Sequence, residues 1–139
     1  MAEGIMKSKL KQSDLSEYTI TSMGLHGQEL QPPTDFGVQV CAEHGIDISA
    51  TRSRPLIAEE LKIAHFVFVM EPFHKEFLRV FFPQCYEQTF LLAAFPSDSV
   101  HKKFMIKDPV GGTLKEYRKT FAILSEHIER IFPLLQALK

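Results

Sequence analysis

Strands alternating with helices predict an α/β fold, a parallel sheet flanked by helices on both faces in three layers. Three stretches carry that expectation. Phe66-Val67-Phe68-Val69-Met70 is apolar throughout, as a parallel strand covered on both faces must be. Tyr18-Thr19-Ile20-Thr21-Ser22-Met23 alternates as a strand should. Leu114, Tyr117, Phe121, Leu124, Ile128, Ile131, Leu135 and Leu138 recur in steps of three and four, the spacing of a long amphipathic helix.

The remaining elements follow in order. Met1 to about Gln12 reads as a helix, with Met1, Ala2, Ile5, Met6 and Leu10 near helical spacing, and Ser13-Asp14 ends it. After the Tyr18–Met23 strand, Gly24 to Pro33 is a loop. Thr34 or Asp35 can cap a helix that runs through Phe36, Val40 and Cys41 to Gly45, with Cys41 a small core residue on its apolar face. Ile57 to Ala64 is a short helix ahead of the apolar strand. Pro72 can open the next helix at its first turn, with Phe73, Phe77, Leu78 and Phe81 on one face and Pro83 as its stop. Thr89-Phe90-Leu91-Leu92 is a last strand. Pro133 falls inside the C-terminal stripe and should kink or end that helix near Phe132.

Length bounds the chain to one domain, residues 1–139, large enough to bury roughly two-thirds of its unfolded surface. Apolar residues make up 45% and charged residues 24%, ordinary for a globular protein. A net charge of −1 gives no reason to expect nucleic acid or an anionic membrane as partner. Lys7/Lys9/Lys11 and His101-Lys102-Lys103 read as solvated faces. Cys41 and Cys85 form no C-x-x-C and point to a reducing, cytoplasmic compartment. The first residues hold no apolar core of a leader, and no apolar run is long enough to cross a bilayer.

The candidate chemistry is sparse. Six scattered histidines lack metal-ligand spacing, so neither a metal nor a cofactor is expected. Glu126-His127 and Glu129 read as a solvated face. There is no G-x-G-x-x-G or Walker-type loop. Six residues after Cys41 stands Asp47, and six after Cys85 stands Leu91, so no phosphate loop of the Cys-x5-Arg kind can be built. Arg52 and Arg54 admit two readings, bidentate anion contacts or exposed loop arginines. Lys107-Asp108-Pro109-Val110-Gly111-Gly112 also admits two. It is a turn that opens on Asp108, or a carboxylate held by proline and glycine at a strand-to-helix corner, where α/β folds place chemistry.

The pieces in order resemble the low-molecular-weight protein tyrosine phosphatase family over nearly all of residues 1–139. Met1-Ala2-Glu3-Gly4 looks like the helix start that follows the family's Cys-x5-Arg-Ser-Pro loop. Ser22-Met23-Gly24 resembles its Ser-Ala-Gly turn. Gly45-Ile46-Asp47-Ile48-Ser49, with Arg52 and Ser53-Arg54-Pro55-Leu56, looks like its next block. Ala64 to Met70 is similar to its buried strand, with His65 replacing Asp. Asp108-Pro109-Val110-Gly111-Gly112 resembles its general-acid loop in the bacterial Asp-Pro-x-Gly-Gly form.

That resemblance implies a phosphotyrosine protein phosphatase I-like fold and phosphomonoester hydrolysis through a phosphocysteine. Asp108 would be the general acid and base, with Val110, Gly111 and Ser22 at the rim of the cleft. Substrates would be a phosphorylated protein or small phosphomonoester, carrying phosphotyrosine or phosphoarginine. The aromatic wall common in tyrosine-specific relatives is missing, and the Gly-Gly form is shared with bacterial phosphoarginine phosphatases.

The family's first strand, cysteine and arginine precede the point where this sequence begins. The expectation is therefore an N-terminally truncated domain, from a misplaced start or a truncated gene, without a nucleophile and inactive as written. In the family that strand lies between those matching Tyr18–Met23 and Phe66–Met70. Its loss would open a gap of roughly 10 Å, and the unpaired edges favour self-association. A non-catalytic binding module is the alternative. An arsenate reductase relative, which needs a resolving cysteine pair, comes third.

Overall fold

The computed structural model describes every residue except Asp14, Ser16, Gly27 and Lys139. Five α-helices, two strands and two 3-10 turns occur among the described residues, in the order α1 (Ala2–Gln12), α2 (Asp35–Glu43), α3 (Ala58–Ile63), β1 (Val67–Val69), α4 (Pro72–Phe81), a 3-10 turn (Pro83–Gln88), β2 (Thr89–Leu91), a second 3-10 turn (Lys102–Phe104) and α5 (Leu114–Ala137). The fold is α/β, with a small parallel sheet flanked by helices. It divides into two compact units, Met1–Pro55 with Pro109–Arg130, and Leu56–Asp108 with Ile131–Lys139.

In the first unit, α1 buries Ile5 and Met6, and the backbone of Gly4 passes so close to Ile48 that a Cβ there would lie 2.6 Å from its Cγ2. Thr34 caps α2 by accepting the Gly37 N–H at 3.3 Å, and Gly45, at φ +74, carries the chain out of the helix as expected. Val40 and Cys41 are fully buried with Tyr117, Phe121, Leu124 and Ile128 of α5 in this unit's core. Phe36 meets the Tyr117 ring edge-on at 5.7 Å, and His44 stacks on Phe121 at 4.1 Å. Lys9 of α1 pairs with Glu129 of α5, so Lys9 and Glu129 join two helices rather than forming bare solvated faces. Asp14, expected with Ser13 to end α1, lies outside the described residues.

The expected strand at Tyr18–Met23 does not form among the described residues. Exposure still alternates, with Tyr18 and Ile20 half-buried and Thr19 and Thr21 exposed. Alternation sets which side chains face inward, but a strand also needs a ladder of backbone partners. The segment reaches a single parallel bridge, Gly24 with Pro55, where the Gly24 N–H donates to the Arg54 carbonyl at 2.8 Å.

In the second unit, β1 and β2 pair in parallel with Val67 opposite Thr89, Phe68 opposite Phe90 and Val69 opposite Leu91. Leu91 and Thr89 are fully buried. Phe95 receives the edges or faces of Phe66, Phe68 and Phe90, with ring centres 5.0 to 5.4 Å apart. Gln88 donates to the carbonyls of Leu61 and Ala64 at 3.2 and 3.3 Å, tying the end of α3 to the start of β2.

Pro72 opens α4 and Pro83 lies just beyond its end, as expected, but the buried face differs. Phe73 and Phe81 are 59% and 63% exposed, whereas Lys75 and Leu78 are buried. The phenyl rings at 73, 77 and 81 follow an i, i+4 line that turns away from the core and packs on itself, Phe77 against Phe81 at 4.6 Å. In α5, Pro133 does not end the helix, which runs on to Ala137. The proline removes one N–H that would bond the Glu129 carbonyl, and burial of Ile131 and Phe132 just ahead of it offsets that loss. Leu138 lies past the helix end and is 63% exposed, so the stripe stops short of it.

Candidate active site

The Asp108–Gly112 segment forms a tight turn into a capped helix. The Gly112 N–H donates to the Pro109 carbonyl at 2.8 Å, and Gly111 stands at φ +80. A positive φ at the third residue is what a type II turn demands, and glycine reaches it without a Cβ penalty. Gly112 is required for a different reason, since a Cβ on it would lie 2.8 Å from the Pro109 carbonyl oxygen. Val110 sits at the tip, 67% exposed. Thr113 then starts α5, its hydroxyl accepting the Glu116 N–H at 3.2 Å and its carbonyl the Tyr117 N–H at 3.1 Å. That cap is readable in Thr113-Leu114-Lys115-Glu116 as Thr followed three residues on by Glu, a local signal that apolar periodicity does not carry.

Asp108 is exposed and is the last residue of its segment in the second unit. Ser22, Arg52, Arg54, Val110 and Gly111 all belong to the first. Within that unit the segments bearing Ser22 and Arg54 are joined through the Gly24 to Arg54 bond, and Leu30 donates to Ser53 at 2.8 Å. Ser22 donates to the Glu3 carboxylate, which also binds Lys7 at 2.5 Å. Burial pushes the Glu3 carboxyl up, but the bonds from Lys7 and Ser22 and the positive charges of Lys7 and the N-terminus outweigh it, so the group is held below its ordinary value. Periodicity alone does not reveal this role for Glu3.

Arg52 turns back on its own loop, with Nη1 donating to the Ser49 carbonyl at 2.8 Å and the Thr51 carbonyl at 2.9 Å. Both cysteines are free and fully buried. Burial pushes the Cys41 thiol up, opposite to what a thiolate nucleophile requires. Among the described residues no group of three His, Cys, Asp or Glu side chains could hold a metal ion, and no helix is long and apolar enough to cross a membrane.

The sequence matches the family model for low molecular weight phosphotyrosine protein phosphatase over residues 1–139. The chain belongs to this family. A protein-arginine-phosphatase of Geobacillus stearothermophilus is 30% identical over 136 residues, which span 98% of this chain and 86% of that protein. Among solved structures, an arginine phosphatase from Geobacillus stearothermophilus superposes with a TM-score of 0.86 at 29% identity, covering 98% of this chain and 83% of that one. A low molecular weight protein tyrosine phosphatase from T. tengcongensis gives 0.85 at 32% identity, covering 95% and 87%. The expected family and α/β fold therefore hold for this low molecular weight phosphatase chain.

Proposed function

We propose that this low molecular weight phosphatase domain serves hydrolysis of a phosphomonoester or phosphoramidate, with Asp108 as general acid and base. The observation that carries the reading is the rigid Asp108-Pro109-Val110-Gly111-Gly112 turn. Relatives named for arginine phosphatase and tyrosine phosphatase activity support phosphoarginine or phosphotyrosine as the substrate group. In the first step a cysteine thiolate attacks phosphorus, the bond to the leaving group breaks, and Asp108 protonates that leaving atom. In the second, Asp108 takes a proton from the water that hydrolyses the phosphocysteine.

Val110 and Gly111 would form the cleft rim with Ser22 nearby, and Arg52 and Arg54 would contact anionic substrate. The two units would act as one domain over residues 1–139 in the cytoplasm. The 139 residues contain no Cys-x5-Arg, so this polypeptide by itself would not turn over. Unpaired strand edges left by the missing first strand would favour self-association.

The test uses phenyl phosphate, a leaving group that needs a proton, and phosphoarginine. The 139-residue chain should hydrolyse neither. A version with a family strand and Cys-x5-Arg loop placed ahead of Met1 should hydrolyse at least one. Asp108→Asn in that version should lower phenyl phosphate turnover roughly 100- to 10,000-fold. Turnover by the 139-residue chain that Asp108→Asn abolishes would refute the inactivity. An active extended chain indifferent to Asp108→Asn would refute the acid.

A further inference from the structure

Lys75 departs from the rule that lysine is almost never fully buried unless paired. It is 5% exposed, on the inner face of α4. Its ammonium lies over the ring of Tyr86, 4.8 Å from the centroid, and 5.7 Å from that of Phe90. Among the described residues no carboxylate pairs with it. The acid next to it, Glu76, forks onto Arg79 with bonds of 2.9 and 2.5 Å and is occupied there. Two ring faces supply part of the attraction a desolvated cation needs, and they leave its charge uncancelled.

Lys75 also lines a cleft of about 360 Å³, whose other walls are Pro72, Phe73, Glu76, Tyr86 and Val100. The cleft lies beside the first turn of the ten-residue helix α4, whose N-terminus is already capped by Glu71. Its walls are mainly apolar, and Phe73 stands 59% exposed at its edge. One ammonium within apolar walls matches a single negative charge on an apolar body. A dianion such as phosphate would need a second cation, and Arg79 is already committed to Glu76.

We propose that this cleft is a binding site for a small organic carboxylate, with its carboxylate on Lys75 Nζ and its aryl or alkyl body against Phe73 and Tyr86. The site shares no residue with the proposed phosphatase machinery, since its lining contains none of Ser22, Arg52, Arg54, Asp108, Val110 and Gly111.

The test titrates phenylacetate, and its neutral isostere phenylacetamide, into the intact chain while NMR follows the Lys75 Cε–Hε and Tyr86 ring signals. Phenylacetate should shift both along one saturable curve, with phenylacetamide at least tenfold weaker. Lys75→Met, which keeps the bulk and removes the charge, should lose the curve while its thermal unfolding stays cooperative. If that variant does not fold, the comparison of acid with amide on the parent chain decides. Equal affinity for acid and amide, no saturation at Lys75, or the same midpoint at exposed lysines would overturn the site.

Discussion

The N–H of Gly112 reaches back to the carbonyl of Pro109 at 2.8 Å, with Gly111 between them at φ +80. Alanine at 111 would meet nothing within 4 Å, so its cost is purely one of backbone conformation, roughly 1–2 kcal/mol. Asn at 111 should cost less, because its side chain tolerates the left-handed region. Gly112→Ala should cost more than Gly111→Ala, since its Cβ would press on the Pro109 carbonyl at 2.8 Å and a backbone atom cannot rotate away. Urea unfolding should rank Gly111→Asn as the least destabilised, Gly111→Ala next and Gly112→Ala the most. A Gly111→Ala chain as stable as its parent would show that the positive φ is dispensable.

Gly4 gives the opposite of the usual helix rule. Alanine is preferred over glycine in a helix interior by about 1 kcal/mol. Here its Cβ would stand 2.6 Å from Ile48 Cγ2 and 3.1 Å from Ile46 Cγ2. Overpacking of this kind costs roughly 1–3 kcal/mol, so Gly4→Ala should destabilise the chain on balance. Combined with Ile48→Ala the Gly4→Ala penalty should vanish, which a double-mutant cycle reads directly. Additive losses would mean that the two residues do not meet.

Thr89 is fully buried, and its hydroxyl donates to the Cys85 carbonyl at 2.6 Å. Thr89→Val keeps the shape and deletes the donor, leaving a buried acceptor short of a partner. A loss of roughly 1–3 kcal/mol is expected in denaturant unfolding. An unchanged midpoint would count against this bond as a clamp between the 3-10 turn and β2.

The His127 imidazole is pushed down by burial and, in the same direction, by the neighbouring Arg130, with Glu126 opposing. Arg130 Nε donates to His127 Nδ1 at 3.4 Å, an arrangement that suits the neutral ring. As pH falls, the unfolded chain takes up a proton on this residue before the folded chain does. The contribution to stability is therefore whole above the unfolded value, near 6.5, and is lost as pH falls through the depressed folded one. His127→Gln should show a shallower fall in melting temperature from neutral pH into the acid range. Parallel curves for the two chains would remove His127 from the pH response.

Local signals read well in this chain because their physics is local. Thr34 caps α2 and Pro72 opens α4, each through atoms a few residues away, and both were legible. The apolar run Phe66–Met70 contains β1 because burial on both faces leaves no room for polar residues. Tyr18–Met23 was misread as a strand because pairing depends on a second segment that alternation does not specify. Spacing puts Phe73, Phe77 and Phe81 on one line of α4 but does not say that Phe73 and Phe81 stay exposed while Lys75 and Leu78 are buried.

The ordered blocks from Met1-Ala2-Glu3-Gly4 to Asp108-Pro109-Val110-Gly111-Gly112 were enough to identify the phosphatase family, because each depends on backbone chemistry written into adjacent residues. Which face of α4 turns inward, whether α5 continues through Pro133, and how Ser22, Glu3 and Lys7 combine were decided only by packing. Those outcomes are set by contacts between residues far apart in the chain, where burial and hydrogen bonding outweigh the preference of any single stretch.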